Sequence, residues 1–492
     1  MPKPAVIVLA AGEGTRMKST TPKVLHQAAG RSLVGYALTA AQGLDPERLV
    51  VVVRHGRDRV VAAVRAMAPE ALVVDQDAIP GTGRAVQCAL AAMDQAGVDG
   101  AGGVVVIPGD TPLLDAGTLL ALLEAHQADS NAVTLLSAQV ADPFGYGRII
   151  RDADGQVSAV VEERDASAEQ RAINEVNSST YVFDSQVLHQ ALGQVGQNND
   201  QGEIYLTDVV ALARKNKTTV AAVICEDATV IHGVNDRAQL AEAAKELNRR
   251  RVLQAMIDGV TIVDPATTLL GPDVELATDV TVEPGTDLRG DTRVEAGAVI
   301  GPFTTLTNCQ VGAGATVDRT VATDAVIGAG ALIGPFTHLR PGTVLGAKTK
   351  AGSFTELKSA QIDDGAKVPH LSYVGDAHVG EAANIGAGTI FANYDGVNKS
   401  RCEVGPAARI GSNNVLVAPI DMGAGAYSGA GVVIRGDVPP GSLALGGKDQ
   451  RVIEGWTVRK RPGSDSAQAA ERAVNPKPAA DLDKPGSDGP TS

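Results

Sequence analysis

The feature that most constrains this chain is a six-residue rhythm in its second half. Leu270, Leu276, Val282, Leu288, Val294, Ile300 and Leu306 fall at every sixth position without a miss. After a slip the series resumes at Ile327, Ile333, Leu339, Leu345, Ala351 and Leu357, and again at Val404, Ile410, Leu416 and Met422. A glycine often follows the apolar residue, as in Ile300-Gly301, Ile327-Gly328, Ile333-Gly334, Ile385-Gly386 and Ile410-Gly411. An α-helix repeats an apolar face about every 3.6 residues and a strand about every two, so neither produces this spacing. A triangular coil does, because each turn has three six-residue faces and each face sends one aliphatic side chain inward to a common stack. Residues 259–460 are therefore predicted to form a left-handed parallel β-helix of hexapeptide repeats.

The first half reads differently. Ala5–Ala10, Leu49–Val53, Gly103–Ile107 and Ala132–Leu136 are short runs rich in Val, Ile and Leu, with Ala-rich helical stretches such as Gly83–Met93 and Thr118–Ala128 between several of them. That alternation predicts an α/β, Rossmann-like domain on a mostly parallel sheet over residues 1–235. In such sheets ligands bind beyond the carboxyl ends of the strands. Residues 236–258 read as one connecting helix, with Asp236 as N-cap, Leu240, Ala244 and Leu247 at helical spacing, and Gly259 as its stop. The segment from 461 to 492 is rich in Ser, Asp, Pro and Ala without periodicity, which predicts a disordered tail.

Charge narrows the function classes. Lys and Arg total 43 and Asp and Glu 57, a formal charge of −14, whereas sequence-independent nucleic-acid binding needs a basic surface. Cys88, Cys225, Cys309 and Cys402 lie far apart with no CxxC spacing, which reads as reduced thiols. The opening apolar run breaks at Gly12, too soon for a membrane span, and no cleavage pattern follows it. The expectation is a cytoplasmic protein that binds neither nucleic acid nor membrane.

Directly after the first strand comes Leu9-Ala10-Ala11-Gly12-Glu13-Gly14-Thr15-Arg16-Met17. Glycines there let the backbone approach a phosphate. There is no GxxxxGK[ST], and a dinucleotide GxGxxG would need Gly where Met17 stands. A tight strand-to-helix turn also uses two glycines for packing alone. Arg16 and, after Thr21-Pro22, Lys23 are placed to neutralise a triphosphate; taken singly, each also fits plain surface charge. Gly109-Asp110 ends the strand at Ile107, where a carboxylate can help hold Mg²⁺, which needs few protein ligands; a turn or cap Asp is the other reading.

In the second half, residues 365–376 interrupt the rhythm with Pro369-His370-Leu371-Ser372-Tyr373, and a polar insertion, Asn393-Tyr394-Asp395-Gly396-Val397-Asn398-Lys399, separates Phe391 from Val404. Arg340 and Lys358 lie on preceding coils, and Asn384 between the two interruptions. Acetyl transfer to an amine needs a base, and histidine titrates in the right range. It also needs oxyanion donors and cations for a sugar phosphate. A loop histidine that is simply solvated remains the plainer reading of His370.

LAAGEGTRM, the Pro-Lys of TPKVLH, QDAIPGTG and PGDTPLL together resemble the bacterial sugar-nucleotide pyrophosphorylases. With the β-helix, the chain resembles the bifunctional N-acetylglucosamine-1-phosphate uridyltransferase/glucosamine-1-phosphate acetyltransferase family from about residue 5 to 460. The resemblance implies a nucleotide and sugar site of Leu9, Ala10, Ala11, Gly12, Gln76, Gly81, Thr82, Pro108, Gly109, Asp110, Gly147, Glu162, Asn177 and Asn235. It implies Arg16 and Lys23 on the phosphates, and Mg²⁺ shared by Asp110 and Asn235. For acetyl transfer it implies His370 as general base, and Arg340, Lys358, Tyr373 and Asn384 on glucosamine-1-phosphate. Ala387, Asn393, Tyr394, Ser412 and Ala430 are implied to line acetyl-CoA. The implied product is UDP-N-acetylglucosamine for cell-envelope synthesis, with UTP and acetyl-CoA as co-substrates and a homotrimer as the assembly. One departure stands out: many relatives carry an Arg suited to coenzyme A phosphates where this chain has Gly447, with Lys448 and Arg451 nearby as substitutes and Trp456 as a surface for the adenine. Two other readings are a single-activity nucleotidyltransferase with a structural β-helix, and a non-enzymatic regulatory subunit of the same architecture. The second has no need of Arg16, Lys23 and Asp110.

Overall fold

A computed structural model describes residues 2–197, 199–447 and 452–474. Residues up to Leu443 form one compact unit and those from Ala444 onward a second.

The first half is a nine-stranded sheet. Its strands are β1 (Ala5–Ala10), β2 (Arg48–Val53), β3 (Leu72–Asp75), β4 (Val104–Pro108), β5 (Val133–Gln139), β6 (Arg148–Arg151), β7 (Val157–Val161), β8 (Glu175–Phe183) and β9 (Val220–Ile224). The main order is β9-β5-β8-β4-β1-β2-β3, and β6 and β7 form a hairpin on β8. All main neighbours are parallel except β8, which runs antiparallel to both β4 and β5. β1 and β4 are apolar at every position because both faces are covered. Val6 and Val8 pack into one core with Leu38 and Leu119, and Ala5 and Ile7 into the other with Val86 and Leu90. The predicted strands and helices are all present, with ends moved by a few residues: Gly83–Met93 is the heart of helix Thr82–Gln95, and Thr118–Ala128 that of Ala116–Ala128.

Arg237–Ile257 is one helix, α1, capped by Asp236, whose carboxylate accepts a 2.9 Å hydrogen bond from Gln239 N. Gly259, at φ +94°, turns the chain out of it, a conformation that costs other residues far more. The helix also binds the first coil, since Asn248 Nδ2 donates to Thr268 O and Asn248 Oδ1 accepts from Leu270 N, both at 2.9 Å. Arg31 pairs with Asp273 across the same junction.

From Thr261 the chain winds through three long stacks of parallel strands, a left-handed β-helix. The six-residue series is its inward column, with Val282, Leu288, Ile300 and Leu306 fully buried. The slip after Leu306 is three shortened faces, ending at Val311, Ala322 and Ile327, and Leu306 still pairs with Ala322 and Val317 with Ile333. The insertion at 393–399 likewise leaves Asn384 paired with Arg409. At one corner a buried hydroxyl closes turn after turn, as where Thr286 Oγ1 donates to Glu283 O at 2.7 Å, Thr355 Oγ1 to Gly352 O at 2.8 Å and Thr389 Oγ1 to Gly386 O at 2.6 Å, and the Asn414 amide takes that place on the next turn.

Two boundaries differ from expectation. Leu443–Ala444 is the last strand, short of 460, and Trp456–Lys460 is helical. Asp465–Val474, expected to be disordered, is a helix that spaces Ala467, Ala470 and Val474 along one side; alanine-rich composition without Pro or Gly permits it. Residues 475–492, the rest of the expected tail, lie outside the described residues.

Candidate active sites

At the first site three distant segments meet beyond the carboxyl ends of β1 and β4. Gly14 sits at φ +68°, and a Cβ there would stand 2.4 Å from Lys23 Cβ, so glycine is what admits the lysine. Lys23 Nζ pairs with the Asp110 carboxylate and donates to Asn235 Oδ1 at 2.9 Å. Asp110 follows β4, with its carbonyl accepting from Val234 N at 2.9 Å. That bond brings Asn235, some 125 residues later in the chain, beside it. Pro108 and Gly109 are held against β1, Gly109 N donating to Leu9 O at 2.9 Å. Arg16 lies exposed on the same loop with no ion pair among the described residues.

Gln76 follows β3 and braces the next loop, its Nε2 donating to Ile79 O at 2.9 Å and Gly81 O at 3.1 Å. Gly81 is at φ +116° with the Ile204 backbone so close that no Cβ fits. Thr82 Oγ1 then accepts from Leu206 N at 3.1 Å. On the other side, Gly147, Glu162 and Asn177 meet: a Cβ on Gly147 would lie 3.5 Å from Glu162 Oε2 and 3.6 Å from Asn177 Cβ. Burial pushes the Glu162 carboxyl up, only partly offset by the hydrogen bond it receives from Thr207 Oγ1 at 3.1 Å. Asn177 Nδ2 donates to the buried Tyr181 hydroxyl at 2.7 Å. Thr207 and Tyr181 were not anticipated. Neither lies in a recognisable motif, and only the folded sheet brings them to Glu162 and Asn177.

The second site lies on the β-helix. Strand pairing aligns His370, Ala387, Ser412 and Ala430 at one corner of successive coils: Lys367 pairs with Asn384, Asn384 with Arg409 and Arg409 with Tyr427. The His370 ring is exposed, while its carbonyl accepts from Ser372 Oγ at 2.7 Å and Gly388 N at 3.2 Å. At the far end of the adjoining face, Lys358 and Asn393 converge on Asp376, and the Tyr373 hydroxyl lies beside the neighbouring Gly375. The Asp376 carboxylate binds Lys358 Nζ at 3.1 Å and Asn393 Nδ2. Its hydrogen bond to the ammonium raises the Lys358 pKa. Arg340 is one coil further off and pairs with Glu356 at 3.0 Å. Asn384 lies on a different face of the coil from Lys358 and is not brought to it within one chain. Tyr394 is exposed near the base of the insertion, where it bridges to Lys399. Burial raises the Cys402 thiol to about 12, so it is no nucleophile. Lys448 and Arg451 lie outside the described residues. The Trp456 ring is covered by the Arg461 guanidinium, 5.6 Å from its centroid. No described helix is long and apolar enough to cross a membrane.

Comparison with known proteins fits both halves. Residues 6–177 match the MobA-like NTP transferase domain family. The Bifunctional protein GlmU of Kineococcus radiotolerans is 58% identical over 469 residues, 95% of each chain. That of Streptomyces coelicolor is 54% identical over 95% of this chain and 96% of its own length, and that of Corynebacterium glutamicum 52% identical over 96% and 97%. With identity this high over nearly the whole of both chains, the chain belongs to the GlmU family of bifunctional enzymes, uridyltransferase and acetyltransferase in one polypeptide.

Proposed function

We propose that the family's two activities divide between these two sites, acetyl transfer on the β-helix preceding uridyl transfer on the sheet. The convergence of Lys23, Asp110 and Asn235 from three distant segments is the observation that carries the assignment of the first site. A phosphate oxygen of N-acetylglucosamine-1-phosphate attacks the α-phosphorus of UTP in line, a P–O bond forms, the α–β bridge breaks and pyrophosphate leaves. The attacking oxygen is already anionic, so no protein base is needed. Gln76, Gly81 and Thr82 position the nucleotide, Gly147, Glu162 and Asn177 the sugar, and Arg16 and Lys23 offset charge on the phosphates. Asp110 and Asn235 offer the hard oxygen donors that suit Mg²⁺, and the cationic Lys23 already lies on both, which fits a cation-attracting pair. Bound Mg²⁺ supplies charge neutralisation as pyrophosphate departs.

At the second site His370 takes a proton from the glucosamine-1-phosphate amine as that nitrogen attacks the thioester carbonyl of acetyl-CoA. The tetrahedral intermediate then expels the coenzyme A thiolate, leaving an amide. Arg340, Lys358, Tyr373 and Asn384 hold the sugar phosphate, and the column Ala387, Ser412 and Ala430 with Asn393 and Tyr394 lines the acetyl donor. Asn384 lies on a different face from Lys358 in one chain, which supports sites completed between subunits of a homotrimer. Light scattering should give a trimer; a stable monomer with full acetyl transfer refutes that assembly. These substrates are cytoplasmic metabolites, and that is where this reading places the protein.

One mass-spectrometric assay with glucosamine-1-phosphate, acetyl-CoA, UTP and Mg²⁺ tests both assignments. His370→Ala should stall unless given N-acetylglucosamine-1-phosphate, and Asp110→Ala should accumulate that same intermediate. Full turnover by either variant removes its residue from the assigned role.

A further inference from the structure

Lys358 and Asn393 reach the acetyltransfer face from two different coils, and one carboxylate holds both. Asp376 starts the turn after the strand Tyr373–Gly375, with its N–H donating to Lys358 O at 2.9 Å and its own carbonyl accepting from Cys402 N at 3.2 Å. Its main chain is thus fixed on both sides. Its side chain binds the Lys358 ammonium at 3.1 and 3.3 Å and the Asn393 amide. Gly375 beside it leaves room for these side chains, because a Cβ there would stand 2.4 Å from the Tyr373 hydroxyl and 2.8 Å from Asn393 Nδ2. The same corner carries another polar pair, Asn308 Nδ2 to Asp324 Oδ1 at 3.0 Å. That pair stitches two corner residues together. Asp376 instead gathers a strand lysine and the first residue of the insertion. The two side chains are 18% and 22% exposed, so the pair is largely covered without being sealed from solvent.

We propose that Asp376 is a positioning residue for acetyl transfer, fixing Lys358 toward the sugar phosphate and Asn393 toward the acetyl donor with one carboxylate. The proposal rests on the assignment of Lys358 and Asn393 made above. It links the binding groups assigned to the two substrates through a single side chain.

The test is steady-state acetyl transfer by the full-length enzyme, with uridyl transfer by the same polypeptide as the measure of folding. Asp376→Ala should raise KM for glucosamine-1-phosphate and for acetyl-CoA, each about tenfold, as expected for losing a hydrogen bond to a charged or well-placed polar group. Uridyl transfer should not change. Asp376→Asn keeps an acceptor for Asn393 but loses the negative charge that holds the Lys358 ammonium, so it should raise the sugar-phosphate KM alone. Should alanine also depress uridyl transfer, the near-isosteric asparagine variant carries the test. In a Lys358→Ala background Asp376→Ala should add nothing to the sugar-phosphate KM while still raising that for acetyl-CoA, and in an Asn393→Ala background the converse. Additive effects in both backgrounds, or unchanged KM values in Asp376→Ala, overturn the proposal. If Lys358→Ala itself leaves the sugar-phosphate KM unchanged, the site assignment falls, and the positioning role falls with it.

Discussion

At the residue scale, one histidine couples the coil to pH. His378 Nε2 lies 2.7 Å from Asp363 Oδ2 and Nδ1 2.9 Å from Glu403 Oε2, tying three successive turns together. A neutral imidazole has one N–H, so both carboxylates are served only by the charged ring. Burial opposes that charge, but hydrogen bonds and Coulomb attraction from Asp363 and Glu403 outweigh it and raise the pKa. Arg401 binds Glu403 at 2.8 Å, Gln361 pairs in register with His378, and Asp421 pairs in register with Glu403. A raised folded pKa stabilises the protein below the unfolded value, about 6.5, and that contribution disappears as pH rises through the folded pKa. The melting-temperature gap between the native chain and His378→Gln should therefore be widest on the acid side of neutrality and close in alkali. A gap that stays constant with pH would refute the charged-ring account. The sequence offered no hint of this triad. His378 is 15 residues from Asp363 and 25 from Glu403, and which residues become neighbours depends on each shortened face and each insertion. Asp376 was hidden for the same reason, whereas His370, Lys23 and Asp110 could be singled out by their residue types and the motifs around them, with the roles proposed above.

At the element scale, the polar insertion is a self-contained loop on an undisturbed coil. Ser400 N donates to Asn393 O at 2.9 Å, closing its base, and Asp395 Oδ1 accepts from Val397 N at 2.8 Å and Asn398 N at 2.6 Å inside it. Replacing residues 394–399 by a short link between Asn393 and Ser400 should leave the melting temperature within a few degrees. Acetyl transfer should be lost with Tyr394, and uridyl transfer kept. Cooperative loss of the coil in circular dichroism would show instead that the loop is structural. The insertion and its limits were readable because it breaks a strict rhythm. The helical segment Asp465–Val474 was not, since its alanines form only a short face and its Ser-Asp-Pro-rich flanks suggested disorder.

At the scale of the whole molecule, a coil touches only its neighbours, so damage should stay local. Leu288 is fully buried between Leu270 and Leu306 in the inward stack. Leu288→Ala should cost about 2–5 kcal/mol in denaturant unfolding, and hydrogen exchange should loosen the first coils while sparing those around Lys358 and Asn393. Equal loosening along the entire coil would argue against nearest-neighbour stability. The same repetition has a metrical side. The corner bearing His370, Ala387, Ser412 and Ala430 advances one strand spacing per turn, so those four residues span about 14–15 Å at about 4.8 Å a step. An extended pantetheine arm is of that order. In the proposed assignment the coil works as a ruler graduated in whole turns, and moving the distal grip by one turn would fit it to a carrier longer or shorter by a single graduation.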